Sequence, residues 1–208
     1  VFVTSQMFAG TDKATNAKMI ATVTSLVVGI RLVEIIFDPL IGGIIDNTRT
    51  KYGKFKPWLV IGGVVSSVLL VAIFTNFFGL ATHNTTLFII LFAIVFILLD
   101  SFYSFKDIAF WSMIPALSTE TKEREKFATF ARFGSSLGAN GTTLVVVPIV
   151  TFFTYLVTHK HIEGASGWFW FGVIAAVISG GTAIITALGT KEVDTAIRQQ
   201  NEKAGIKD

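Results

Sequence analysis

The stretch PWLVIGGVVSSVLLVAIFTNFFGLAT, residues 57–82, contains no Asp, Glu, Lys or Arg and is long enough to cross a bilayer. Residues 133–158 and 166–190 are uncharged in the same sense. Of the 208 residues, 52% are hydrophobic and 15% are charged, and the mean hydropathy is +0.66. A soluble domain carries about 25% charged residues, so this composition indicates a membrane protein with several spans.

Two further long apolar stretches, 19–45 and 86–116, differ from these because they carry ionisable residues. The chain starts with an apolar stretch, 1–10, that is too short to span and lacks the basic start of a signal peptide. We therefore expect the end of one truncated helix at 1–10, followed by five complete helices. The predicted spans are 19–45, 57–80, 86–116, 128–158 and 168–190, with loops at 11–18, 46–56, 81–85, 117–127 and 159–167 and a polar tail at 191–208.

Basic residues are distributed unevenly between the two sets of predicted loops. Loops 46–56 and 117–127 and the tail together carry eleven Lys and Arg residues, whereas the opposite side carries three, Lys13, Lys18 and Lys160. Because basic loops stay on the cytoplasmic side, we expect those two loops and the tail to be cytoplasmic. The chain is then a multi-pass protein of the cell membrane, with the lipid bilayer as its surroundings.

Several function classes are not supported by the residues. There is no Cys, and the three histidines, His83, His159 and His161, lie in predicted loops without metal-ligand spacing. The basic residues do not form a single nucleic-acid-binding face. No nucleophile–base pair or phosphate-binding loop is present, so we expect neither an enzyme nor a bound cofactor or metal.

Gly134, Gly138 and Gly141 place small residues at helical spacing in span 128–158. Small residues allow transmembrane helices to approach closely. We expect this stripe to pack against a neighbouring helix.

The ionisable residues inside the spans follow helical spacing. At 100° per residue, Arg31, Glu34 and Asp38 fall within about 60° of one another on the first complete span. On span 86–116 the same geometry aligns a second stripe, which consists of Asp100, Ser104, Asp107 and Trp111. Each charge placed in hydrocarbon costs about 2.5–3.5 kcal/mol, so both stripes must face protein or a water-filled cavity.

With Lys106 and Arg132, the embedded groups are three bases and four acids, and this near balance indicates ion pairs between helices. One interpretation is a set of structural ion pairs, which we favour for Arg31 and Lys106. The other is a coupling site, which we favour for Glu34 and Asp38, because two acids one turn apart can take up a proton, or can coordinate Na⁺ or Li⁺. Trp111 beside Asp107 fits either a sugar platform or packing.

Four segments carry a family resemblance: FDPLIGGIIDNTRTKYGKFKPW at 37–58, YSFKDIAFWSMIPAL at 103–117, ERE at 123–125 and FARF at 130–133. They resemble the glycoside–pentoside–hexuronide:cation symporters of the major facilitator superfamily, in particular the lactose/raffinose permease-like group. The similarity extends over essentially the whole chain.

The resemblance implies the N-terminal six-helix bundle (1–190) of a twelve-helix major facilitator fold, with its first helix truncated and a cytoplasmic central loop at 191–208. It implies alternating access and import of a galactoside or related oligosaccharide, driven by H⁺, Na⁺ or Li⁺. The partners it implies are the sugar, the cation and the missing C-terminal six-helix half. A channel or structural membrane subunit is the alternative from another class.

Site residues follow from the same resemblance. It assigns Glu34, Asp38 and Ser104 to the cation site, and Asp107, Trp111 and Arg132 to the sugar site. Arg31, Asp100 and Lys106 complete the charge network. Phe37 replaces the amide that sodium-using melibiose permeases carry before the aspartate, so we expect proton coupling rather than sodium coupling.

The resemblance also assigns a cytoplasmic gating role to the loop 46–56 and the helix end before it. The positions that match the motif are Gly42, Asp46, Arg49, Gly53 and Lys54. A loop that merely sets topology would explain its lysines equally well, so Asp46 and Arg49 are the stronger gating candidates.

Overall fold

The structure is a computed structural model that describes residues 13–75, 77, 80 and 85–193. It contains five long helices: α1 (Lys13–Asn47), α2 (Lys56–Phe74), α3 (Thr85–Ala116), α4 (Thr121–Thr158) and α5 (Ala165–Gly189). Each is long and apolar enough to cross a membrane, which confirms the prediction of five complete apolar spans. The predicted helix end at 1–10, most of the loop 81–85 and the tail beyond residue 193 lie outside the described residues.

Small residues let α2 pack closely along both α3 and α5. A Cβ atom added to Gly62 would lie 2.6 Å from the Phe102 carbonyl oxygen, and one added to Gly63 would lie 2.5 Å from the Ala183 Cβ. Such close approach gives transmembrane helices their van der Waals contact in lipid. The facing positions of α5 are also small and buried: Gly172, Ala176, Gly180, Ala183 and Ala187.

The outer helices are much less enclosed by the described residues. On α1, Leu32, Ile35 and Ile36 are each more than 60% exposed, although the helix packs on α3. On α4, Phe130 and Leu144 are exposed in the same way. The expectation that the glycine stripe of α4 packs on a neighbour is not met within the described residues. A Cβ added at any of its three positions would meet no atom within 4 Å.

Three helix limits differ from the predicted ones by more than three residues, each for a local reason. The first is α1, which is already helical at Lys13 because a helix can extend past the hydrocarbon into the polar region, where Lys18 is exposed. The second is α2, which ends at Phe74 rather than at residue 80. There the Thr75 hydroxyl donates to the Ala72 carbonyl, and Phe77 has a left-handed φ of 45°.

The third difference is the start of α4, which lies at Thr121 rather than at residue 128. The Ser118 hydroxyl donates to the Glu123 carboxylate in the first turn and accepts the N–H of Glu120, so side-chain contacts hold the start of the helix before the apolar stretch begins. The predicted loop 117–127 is therefore reduced to residues 117–120.

We predict that Gly62→Val in the full-length protein lowers the free energy of unfolding by about 1–3 kcal/mol, because the new side chain meets the α3 backbone. The thermal unfolding midpoint of the detergent-solubilised protein measures this change. Gly181→Val is the matched control, since a Cβ atom on Gly181 meets nothing within 4 Å. Equal losses in both variants would contradict the role of Gly62 in helix packing.

Candidate functional site

The polar residues of α1 and α3 meet in a cavity of about 570 Å³ between these two helices. Most of its wall is aliphatic or aromatic, as a membrane-spanning sequence requires. Its polar lining consists of Glu34, Asp38, Asp100, Ser101 and Ser104. The acids of α1 therefore share one cavity with Asp100 and Ser104, the first two residues of the predicted stripe on α3.

Beside this cavity, Arg31 connects α1 to α3 through ion pairs. Its Nη1 atom lies 2.7 Å from Glu34 Oε2 on the same helix and 3.1 Å from Asp100 Oδ1 on α3. The Ser104 hydroxyl donates to Glu34 Oε1 at 2.9 Å, so a second polar contact joins α3 to α1. The Asp100 side chain is 4% exposed and that of Glu34 is 18% exposed, whereas that of Arg31 is 54% exposed.

Asp38 lies one turn beyond Glu34 and belongs to the same cavity, but it is bonded differently. Its Oδ1 atom is buried and has no hydrogen-bond partner among the described residues. A buried carboxylate oxygen without a donor is costly while the group is ionised. Asp38 is thus the carboxylate of this cavity that is best placed to gain from an arriving positive charge.

The predicted sugar-site residues lie further along α3 and on α4. Asp107 lines a second, smaller cavity of about 250 Å³ rather than the α1–α3 cavity, so the predicted stripe on α3 is divided between two spaces. The guanidinium carbon of Arg132 lies 5.4 Å from the centre of the Trp111 ring, a cation–π contact that joins α4 to α3. Asp107 lies one turn before Trp111 on the same helix.

Lys106 points away from the Asp100 side of α3 and lines the same cavity as Asp107. Its ammonium group donates to the Ser179 hydroxyl on α5 at 3.0 Å and lies 5.0 Å from the centre of the Tyr103 ring. It passes beside Gly63, where a Cβ atom would contact the lysine side chain. The structure therefore brings Arg31 and Asp100 together but places Lys106 between α2, α3 and α5.

The predicted gating residues lie at the end of α1 and in the connector 48–55. Lys54 Nζ forms an ion pair with Asp46 Oδ1 at 2.9 Å, across a turn in which Gly53 has a φ of +113°. Arg49 is exposed and makes no hydrogen bond or ion pair with another described residue. Gly42 lies within α1, where a Cβ atom would meet nothing within 4 Å.

Glu192, just after α5, is a site residue that the sequence analysis missed. It is buried, and its carboxylate accepts the backbone N–H groups of Lys54, Phe55 and Lys56 at 2.9, 3.2 and 3.3 Å. These groups form the start of α2, where the helix dipole favours a negative charge. A Cβ atom on Gly53 would lie only 2.3 Å from this carboxylate, so glycine is required there for both space and backbone conformation.

Ser179 was also missed, although it lies on α5 near the buried Gly180. A serine in an apolar span is too common to single out. Glu192 had no local signal, because its partners lie about 137 residues earlier in the chain. Only the tertiary fold brings these groups together.

Among the described residues, no three His, Cys, Asp or Glu side chains are arranged to hold a metal ion. Two of the three acids of the α1–α3 cavity are instead engaged by other groups: Glu34 and Asp100 pair with Arg31, and Glu34 also accepts the Ser104 hydroxyl. This arrangement can accept a single positive charge in place of the arginine contact.

Comparisons with known proteins agree with these features. Residues 5–207 match the family described as MFS/sugar transport protein. The chain is 52% identical over 209 residues to the lactose permease of Leuconostoc lactis. The aligned region covers 100% of this chain and 33% of that protein. It is 44% identical over 198 residues to the lactose permease of Lactobacillus helveticus, and the aligned region covers 95% of this chain and 31% of that protein.

A further relative is the raffinose carrier protein of Pediococcus pentosaceus, 43% identical over 202 residues, with 97% of this chain and 31% of the relative covered. The chain thus spans about a third of the length of the curated relatives it matches.

We predict that Glu192→Gln lowers the free energy of unfolding of the full-length protein by about 1–2 kcal/mol, because the start of α2 loses its negative cap. The thermal unfolding midpoint in detergent reports the loss. Glu120→Gln is the matched control, since Glu120 precedes α4 without capping it through its side chain. A Glu192→Gln protein as stable as the control would show that the cap contributes nothing.

Proposed function

Because the chain belongs to the MFS/sugar transport family, in its glycoside–pentoside–hexuronide:cation symporter branch, we propose that the whole protein is a secondary active sugar transporter. It carries a galactoside or related oligosaccharide across the cytoplasmic membrane together with a cation. Relatives at 43–52% identity are named as lactose permeases and a raffinose carrier, which supports a galactoside as the substrate class.

The observation that carries this proposal is the charged group in the α1–α3 cavity. Glu34 and Asp38 lie in the membrane-length apolar helix α1 and line one cavity with Asp100 and Ser104 of α3. Carboxylates kept inside a membrane span mark ion and proton pathways. Glu34, Asp38 and Ser104 are the residues we propose for the cation site.

We propose a proton as the coupled cation. Phe37 supplies no oxygen ligand next to Asp38, and the buried Oδ1 atom of Asp38 has no donor among the described residues. A proton satisfies such an oxygen without further ligands, whereas Na⁺ needs several. Sodium-coupled transport by the same site is the alternative.

The proposed sugar site consists of Asp107, Trp111 and Arg132. A flat indole ring stacks on the C–H face of a sugar, while a carboxylate and a guanidinium bond its hydroxyl groups. The contact between Arg132 and Trp111, and the place of Asp107 one turn before Trp111, support a shared site at the meeting of α3 and α4. The other wall of the site would come from the C-terminal six-helix half, in a twelve-helix fold with substrate bound between the halves.

The orientation we propose places the connectors 48–55 and 117–120 and the chain after α5 in the cytoplasm. The support is the excess of Lys and Arg in residues 46–56, 117–127 and 191–208, which are the two connectors with the adjoining helix ends and the chain after α5. The Asp46–Lys54 ion pair and the Glu192 cap then lie on the cytoplasmic side, where a gate between the two halves would close.

Sugar-dependent proton movement tests the proposal. Adding lactose to de-energised cells that contain the full-length protein should make the medium more alkaline, to the same extent with and without Na⁺. Uptake that depends on Na⁺ without alkalinisation would identify the sodium-coupled alternative. Glu34→Gln should abolish alkalinisation but leave lactose exchange at equilibrium. A channel or structural subunit would accumulate no lactose against its gradient and would contradict the proposal.

For the sugar site, we predict that Asp107→Asn and Arg132→Gln each weaken galactoside binding by about tenfold or more, since a lost charged hydrogen bond costs about 1.5–3 kcal/mol. Titration calorimetry of the purified full-length protein measures the affinity. Lys126→Gln, an exposed change on the same helix as Arg132, should bind like the parent protein. Unchanged affinity in the first two variants would remove both residues from the site.

A further inference from the structure

Arg31 and Asp100 hold an arrangement that the cation site itself does not require. One nitrogen, Arg31 Nη1, is shared between Glu34 Oε2 and Asp100 Oδ1, at 2.7 and 3.1 Å. The other oxygen of Glu34 accepts the Ser104 hydroxyl. Both oxygens of Glu34 are therefore occupied, and the positive charge on one of them belongs to the protein.

A transported cation must take over the contact that Arg31 now makes with Glu34. The arginine side chain is 54% exposed and has a flexible stem, so its guanidinium group can move within the cavity. Asp100 is 4% exposed and fixed on the facing helix, where it offers the guanidinium group a second acceptor. Arg31 can thus give up Glu34 without being left unpaired in the membrane.

We propose that Arg31 is a built-in counter-cation that competes with the transported cation for Glu34, and that Asp100 sets the strength of this competition by drawing Arg31 away. The inference rests on the proposed cation symport. It makes Arg31 and Asp100 residues that set cation affinity, in addition to holding α1 against α3.

The charges of the cavity give the inference its direction. Three carboxylates, those of Glu34, Asp38 and Asp100, line the cavity, and the guanidinium group of Arg31 pairs with two of them, Glu34 and Asp100. Removing the charge of Asp100 removes an attraction for the arriving cation. It also leaves Glu34 as the only ion-pair partner of Arg31 among the described residues, so Arg31 competes more strongly for Glu34. Removing the charge of Arg31 removes both a repulsion and the competitor, so the two changes act in opposite directions on cation affinity.

The same contacts connect cation binding to helix packing. Within the described residues, the polar side-chain contacts between α1 and α3 include Arg31 with Asp100 and Ser104 with Glu34. A cation that replaces Arg31 at Glu34 breaks the Arg31–Glu34 pair, so that Asp100 of α3 alone holds Arg31, and leaves the Ser104–Glu34 contact in place. The occupancy of the site is thereby transmitted to the relative position of the two helices.

The test measures lactose uptake by the full-length protein against cation concentration, as pH or as Na⁺ concentration, whichever drives the parent protein. Arg31→Gln should lower the half-saturating cation concentration by about tenfold, and Asp100→Asn should raise it by about tenfold. The double variant should return to within about threefold of the parent value, because the two charge changes offset each other.

Two surface variants control for the change of formal charge alone. Lys160→Gln, in the α4–α5 connector, matches Arg31→Gln, and Glu125→Gln, on α4, matches Asp100→Asn. Both should keep the parent cation dependence. Arg31→Lys keeps the positive charge, so it should shift the half-saturating concentration by less than about threefold.

A purely structural ion pair predicts a different pattern. Both single variants would then lose maximal uptake, with the half-saturating cation concentration unchanged or shifted the same way, and that result would overturn the inference. If Asp100→Asn does not reach the membrane, Arg31→Gln alone tests the competition between Arg31 and the transported cation. An unchanged or raised half-saturating cation concentration in Arg31→Gln would contradict that competition. A parent protein whose uptake ignores H⁺ and Na⁺ would instead overturn the proposed symport, and the inference with it.

Discussion

A charged side chain inside hydrocarbon is stable only when other protein groups replace its water, and the sharing of Arg31 between Glu34 and Asp100 meets this condition. Each of these groups alone would cost about 2.5–3.5 kcal/mol in a transmembrane helix. Together they compensate one another across two helices, at 2.7 and 3.1 Å. The position of α1 depends on this contact more than on burial, because most of its large apolar side chains remain exposed among the described residues.

The packing of α2 and α5 against α3 holds α3 in position beside this site. Small residues bring α2 within van der Waals contact of both α3 and α5, so these three helices form a close-packed unit. Lys106 crosses this unit and bonds Ser179, which fixes the rotation of α3 about its axis. With α3 held in that rotation, Asp100 and Ser104 face α1. The packed side of the bundle therefore determines which groups line the cavity on its other side.

Much of this arrangement follows from the sequence, and the exceptions have physical reasons. Uninterrupted apolar stretches are sufficient to predict the five spans, and the balance of acids and bases is sufficient to expect pairing between helices. Helical spacing did not predict the separation of Lys106 from Arg31, because one residue along a helix turns the side chain by about 100° toward a different neighbour. The glycines of α4 show that small residues permit close packing but do not specify a partner. The Glu192 cap depends on contacts between distant parts of the chain, which no local pattern encodes.

The two functional parts of α1 lie on one continuous helix, and this has a mechanical consequence. Glu34 and Asp38 lie in its middle, and Asp46 near its end forms the ion pair with Lys54. The backbone N–H of Lys54 is in turn bound by Glu192, which follows α5. The helix continues past Pro39, which lies between these two parts and removes one helix hydrogen bond, so a shift of α1 against α3 at the cavity also moves Asp46 against a connector anchored to α2 and α5. The exchange of a cation at Glu34 and the state of the connector are thereby linked through one continuous helix, which is a physical condition for coupling between the two sites.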